Sequence, residues 1–183
     1  MSVLPFRISP RLAAPAAALL AAALTGGCSF FAQSQPAPCP AISPLPNAGQ
    51  LTRFDGRGYD ATNLLLHAEV NDATATCELR GSSVVQVSMI MTGTLTRGPI
   101  APAKETAATY FVAVMDGERV MQQLDFQMPA QFAPNTDRLA FKSDYIDVSV
   151  PVSPGKPSTA YHIFVGFRLT PEELAYNRSH GVR

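Results

Sequence analysis

The sequence predicts an all-β protein, an antiparallel β-sandwich closed by a short C-terminal helix. Three observations predict it. Apolar and polar residues alternate with period two through most of residues 64–169, the pattern of half-buried strands. Asp116-Gly117 separates two such runs as a tight hairpin turn. Thr170-Pro171-Glu172-Glu173 supplies a helix N-cap, proline at the first helical position and glutamate three residues after the cap.

The elements follow in order. Leu64, Leu66, Ala68 and Val70 share one strand face, with Leu65, His67 and Glu69 on the other. Asn71-Asp72 reads as a turn. Ala75, Cys77 and Leu79 then alternate with Thr74, Thr76 and Glu78. In the longest run, Val85, Val87, Met89, Met91 and Leu95 lie together, and Gly93 marks a bulge within it. Residues 97–107 read as a loop. The hairpin pairs residues 110–115 with 119–128 through a type I′ turn, and Val120, Leu124, Phe126 and Met128 share the inward face. Strands at about 138–142 and 145–151 follow, then a turn at Pro154-Gly155 and a strand carrying Tyr161, Ile163, Val165, Phe167 and Leu169. The helix runs to about Arg178, because Gly181 follows. Seven or eight strands with turns every 8–12 residues or so suggest an immunoglobulin-like or fibronectin-like architecture, with a small barrel as the alternative. The chain has no tryptophan, which a true immunoglobulin core usually holds.

The N-terminal segment sets the address. Arg7 and Arg11 precede an apolar stretch over residues 13–24, and the first acidic residue of the chain is Asp55. A positive start, a short apolar core and small residues before a cut site are the parts of a secretory signal. The stretch is shorter than the roughly 20 residues a bilayer span needs. It ends in Leu24-Thr25-Gly26-Gly27-Cys28, which resembles the signal of bacterial lipoproteins, although that family usually places leucine where Thr25 stands. The resemblance implies acylation of Cys28 by palmitate-type chains and cleavage that leaves it as the first residue. Ser29, where an aspartate would favour the inner membrane, implies the periplasmic face of the outer membrane. Phe30 and Phe31 would settle at the interface. The alternative is an ordinary signal peptide, cut near Ala23 or Gly27, that releases a soluble protein.

The expected organisation is a signal over residues 1–27, a lipidated Pro-rich tether over 28–49, a sandwich domain over 50–178 and a disordered tail over 179–183. The tether reading rests on Pro36, Pro38, Pro40, Pro44 and Pro46. Without residues 1–27 the chain loses two arginines, leaving 12 Lys+Arg against 14 Asp+Glu and a net charge of −2. Both signs are scattered, so the chain has no basic footprint for nucleic acid. With Cys28 used for lipid, Cys39 and Cys77 form an even pair in an oxidising compartment. A bridge closing about 38 residues is worth roughly 4 kcal/mol at most by chain entropy. The alternative is a buried Cys77 and a free Cys39 thiol.

Site chemistry is sparse. His67, His162 and His180 are far apart, and no Cys or His pair has metal-ligand spacing. No Gly-x-Ser-x-Gly elbow occurs. Glu172 and Glu173 read as helix-capping acids. We therefore expect no catalytic residues, no metal, no cofactor and no enzyme activity. The one polar cluster is Asp55-Gly56-Arg57-Gly58-Tyr59-Asp60. Asp55, Arg57 and Asp60 are its candidate ligand-binding residues, although the cluster lacks the register of a calcium loop and the glycines of a phosphate cradle. The alternative is a tight structural turn. Thr- and Gln-rich strands with open edges offer a further means of recruiting a partner, by strand addition.

Several segments resemble a group of small, functionally uncharacterised proteobacterial lipoproteins. They are Cys39-Pro40, Leu51-Thr52-Arg53-Phe54 with the following 56–60, Thr96-Arg97-Gly98-Pro99, and the ending from Gly166 to Arg178. The resemblance implies a periplasm-facing lipoprotein and carries no activity with it. The expected function is an outer-membrane-anchored, non-enzymatic interaction or envelope accessory module. Its partners would be the membrane, through lipid, and an envelope protein. The alternative is a periplasmic small-ligand or metal carrier.

Overall fold

A computed structural model describes residues 34–101, 108–128 and 131–181. The signal segment, the lipidation residue Cys28, Ser29, Phe30, Phe31 and most of the loop expected at 97–107 lie outside the described residues. The strands are β1 (Gln35–Pro36), β2 (Ala41–Pro44), β3 (Gln50–Phe54), β4 (Leu64–Arg80), β5 (Val84–Arg97), β6 (Ala108–Asp116), β7 (Arg119–Met128), β8 (Arg138–Lys142), β9 (Ile146–Pro151) and β10 (His162–Phe167). One α-helix, α1 (Pro171–Ser179), follows. None of the described helices is long and apolar enough to cross a membrane.

The expected all-β sandwich with a short terminal helix is present. In the first sheet the long β4–β5 hairpin is central. β1 and β3 flank β4, and β8 and β9 flank β5. The second sheet has the order β2-β10-β6-β7. All pairs are antiparallel except β2 with β10, which run parallel. One core lies between the sheets. Leu66, Ala68, Val87, Met89, Met91 and Val148 of the first meet Val112, Val114, Ile163, Val165 and Phe167 of the second. A fully buried side chain such as Leu66 contributes about 1.5–3 kcal/mol.

Three local expectations are corrected. The two short strands expected on either side of a turn at Asn71-Asp72 are one strand, β4, with a bulge. Val70 lies opposite Gly93 and Asp72 opposite Thr92, so Asn71 is the extra residue. An extra residue changes which alternate positions face inward, as a turn would. The Asn71 amide donates to Thr94 Oγ1 at 2.9 Å. The glycine in β5 sits across from this bulge, where a Cβ would come within 2.6 Å of the Glu69 carbonyl oxygen.

The hairpin turn is centred on Gly117-Glu118 rather than Asp116-Gly117, since Asp116 pairs with Arg119. Gly117 has φ 58° and Glu118 is not left-handed, the sign pattern of a type II′ turn rather than I′. Beyond the turn, Val114 pairs with Gln122 and Met115 with Val120, so Met121 is extra. That shift puts Val120 on the exposed side, against expectation, while Leu124, Phe126 and Met128 stay inward.

The Pro-rich stretch expected as a tether over 28–49 is, in its described part, built into the domain. Gln35 and Pro36 pair with Leu79 and Glu78. Ala41–Pro44 align with 162–165 of β10. Prolines suit short edge strands, and extended chain is what both a spacer and a strand require. The expected disulfide is formed between Cys39 and Cys77, with Cα atoms 5.4 Å apart. It lies where the chain crosses from the first sheet to the second. The turn after β2 closes the opposite end of that strand: Leu45 N–H donates to Val165 O, Val70 N–H to Gly49 O, and Phe167 N–H to Ala48 O.

Candidate functional site

The candidate loop leaves the end of β3, and α1 packs beside it. Local sequence builds the helix start as expected. Thr170 Oγ1 accepts the Glu173 N–H at 3.2 Å, and Glu173 Oε2 accepts the Thr170 N–H at 2.8 Å. The same carboxylate reaches β3, where Glu173 Oε1 accepts Arg53 Nε–H at 2.8 Å. One turn later Asn177, fully buried, donates its amide to Asn47 O at 2.9 Å and Gln50 O at 2.8 Å. The helix is thus fixed to the strand on which the loop begins. Its C-terminal end includes residue 179 and is capped by His180, so 179–181 belong to the helix end rather than to a disordered tail. Residues 182–183 lie outside the described residues.

Within the loop, Asp55 Oδ1 accepts the Arg57 N–H at 3.0 Å, and Oδ2 accepts Arg57 Nε–H. The Arg57 backbone N–H holds the Asp55 carboxyl below its ordinary pKa, and the guanidinium adds to the effect against a smaller opposition from burial. Asp60 stands apart. Its carbonyl oxygen accepts the Asn63 N–H at 2.8 Å and starts a short 3₁₀ turn, while its side chain is exposed. Of the three expected ligand residues, Asp55 and Arg57 are therefore brought together and Asp60 is not.

Between the loop and the helix lies a cleft of about 650 Å³. Its walls include Arg53, Arg57, Tyr59, Glu172, Glu173 and Tyr176. Asp55 backs Arg57 rather than lining the cleft. Its aromatic wall is a triad. Phe54, Tyr59 and Tyr176 have ring centroids 5.4, 5.1 and 5.2 Å apart, all mutually inclined. Tyr59 is 63% exposed. A second groove of about 320 Å³ lies across the triad and is lined by Leu64, His67 and His180 as well. Residue-by-residue reading missed Tyr59 and Tyr176 and took Glu172 and Glu173 as capping acids alone. The capping box was the usable signal, because it fixes where Glu173 must point.

Each histidine has its own partners, although His67 and His180 line the same groove. His67 Nδ1 lies 3.0 Å from Thr52 Oγ1, across the β3–β4 pair. His162 Nε2 lies 2.8 Å from Ser43 Oγ, and its ring stacks on Phe164. His180 stacks on Tyr176 with centroids 4.0 Å apart. No group of three or more His, Cys, Asp or Glu side chains is placed to hold a metal among the described residues. β7 has β6 as its one neighbour among the described residues, so its outer edge is open to strand addition.

No protein-family model, curated protein or solved structure matches the chain.

Proposed function

We propose that this protein is a non-enzymatic recognition module of the bacterial envelope. Acylated Cys28 would hold it on the periplasmic face of the outer membrane, and the cleft between residues 53–59 and α1 would engage an envelope protein. The observation that carries this reading is the aromatic triad, with Tyr59 exposed, set in a braced cleft. Large exposed rings favour contact with a partner. Phe54 and Tyr176 sit on a strand and a helix joined through Arg53–Glu173 and Asn177, and Tyr59, on the loop, packs against both, which limits the ordering to be lost on binding.

A photo-crosslinking residue at position 59 tests the site, with position 145, also exposed and on another strand connection, as control. One discrete envelope protein captured from 59 and not from 145 is the expected result. No specific product from 59 removes the reading. Anchoring is tested by Cys28→Ala, which should leave the precursor uncleaved at that residue. Normal maturation and fractionation would remove the lipoprotein part.

The cleft volume favours a second reading, a small-ligand carrier, because pockets for such ligands span roughly 300–1,000 Å³. A cell-extract metabolite retained by the purified domain and lost in Tyr59→Ala would replace the first reading with this one.

A further inference from the structure

We infer that the partner presents a cationic side chain, an arginine or lysine, to this cleft; the inference rests on the cleft being the partner's site. Charge accounting is the first ground. The cleft is lined by two guanidiniums and two carboxylates, with Asp55 behind them. Arg53 is paired with Glu173, and Arg57 with Asp55. Glu172 remains, exposed and without an ion-pair or hydrogen-bond partner among the described residues. An arriving anion would meet arginines already committed to carboxylates. An arriving cation meets a carboxylate that is unpaired.

Ring geometry is the second ground. Centroids about 5 Å apart put the three rings in contact with one another, which leaves no hollow between them. A cation therefore binds on an outer ring surface, and Tyr59, 63% exposed and lining the cleft, is the most open of the three rings. A guanidinium or ammonium within about 6 Å of a tyrosine centroid is attracted to it. Arginine suits the site best, because its plane stacks on a ring while its N–H fork reaches a carboxylate. The two grooves share Thr52, Phe54, Tyr59 and Tyr176, so the surface continues past the triad and accommodates an extended chain bearing that side chain.

The test titrates the purified domain with three blocked peptides, Gly-Arg-Gly, Gly-Lys-Gly and Gly-Gln-Gly, and follows the tyrosine ring signals by NMR. The expected result is saturable shifts at Tyr59 and Tyr176 with the arginine and lysine peptides and none with glutamine. Glu172→Gln and Tyr59→Leu should each weaken the response about 2- to 5-fold. Both positions are exposed, and unchanged thermal midpoints would show that neither variant acts through folding. Equal shifts with the glutamine peptide, or none with any peptide, overturn the inference. So does tighter binding of free spermidine than of the arginine peptide, which would assign the site to small amines. Crosslinking from position 59 separates the two levels. Capture undiminished by Glu172→Gln overturns the cation and leaves the partner site standing, whereas no capture at all removes the partner site.

Discussion

Arg53 and Glu173, 120 residues apart in the chain, meet at 2.8 Å and join the last stretch of β3 to the first turn of α1. Glu173 is 7% exposed and serves three purposes with one carboxylate: it pairs with Arg53, closes the capping box on Thr170, and lines the cleft. Glu173→Ala removes all three. It should lower stability by about 2–3 kcal/mol, the sum of a lost cap and a lost charge-assisted hydrogen bond. Glu173→Gln retains an acceptor for the cap and should lose about 1 kcal/mol. Urea unfolding of the two variants checks the order; equal losses would mean that the cap contributes nothing.

The Cys39–Cys77 bridge fastens the crossing segment to β4 beside the hydrogen bond from Ala37 N–H to Cys77 O. Without it, β1 and β2 are short strands held at the sheet edges. Cys39→Ala with Cys77→Ala should cost about 2–4 kcal/mol. Hydrogen exchange should show where: amides of residues 37–45 should lose protection before those of β5 and β6. Uniform loss across both sheets would mean that the bridge acts on the whole domain instead.

Strand positions were legible in the sequence because alternation is a local signal: the alternating runs over 85–96 and 119–128 lie within strands, and the run over 161–169 contains the strand 162–167. The bulges were not, because one extra residue at Asn71 or Met121 changes parity just as a turn does. Residues 35–44 were read as a spacer because their partners, Leu79 and His162, lie 44 and 121 positions away and leave no local trace. The same limit applies to the cleft. Its loop was visible as an acid- and glycine-rich turn. Its opposite wall comes from a helix more than a hundred residues later, and only topology brings Tyr59 to Tyr176.

Gly98 is set by close approach. A Cβ there would come within 1.8 Å of the Leu64 carbonyl oxygen, and the Gly98 N–H donates to Leu65 O at 2.9 Å. Neither backbone can yield without breaking the β4–β5 pairing at Leu66–Arg97. Gly98→Ala should destabilise by about 3 kcal/mol or more. Gly155 is the control, with nothing within 4 Å of its Cβ position and no positive φ. Gly155→Ala should stay within about 1 kcal/mol of the parent, on the stabilising side. Thermal unfolding of both variants decides it, and a mild effect at Gly98 would refute the close approach.

His67 makes stability depend on pH. Burial pushes its pKa below the ordinary 6.5, Glu69 opposes the shift, and Arg138 adds to it. The ring sits beside Thr52 and borders the groove that also holds Tyr59, Tyr176 and His180. A lowered pKa means that the folded state holds the ring neutral at pH values where the unfolded chain is already taking up a proton. The unfolded state then binds more protons, so stability rises with pH across that window. The contribution is complete above about pH 6.5, the unfolded value, and is lost as pH falls toward the folded one. Between pH 7 and pH 5 the urea midpoint should therefore fall more steeply in the parent than in His67→Gln, which keeps a polar group for Thr52 and cannot take up the proton. The groove links this to binding, because a proton on His67 adds positive charge beside the aromatic triad. If the cleft receives a cationic side chain, affinity for the arginine peptide should weaken only as pH falls through the lower folded-state pKa of His67, and His67→Gln should flatten that dependence. Parallel midpoint curves for parent and variant would show that His67 is not the group responsible.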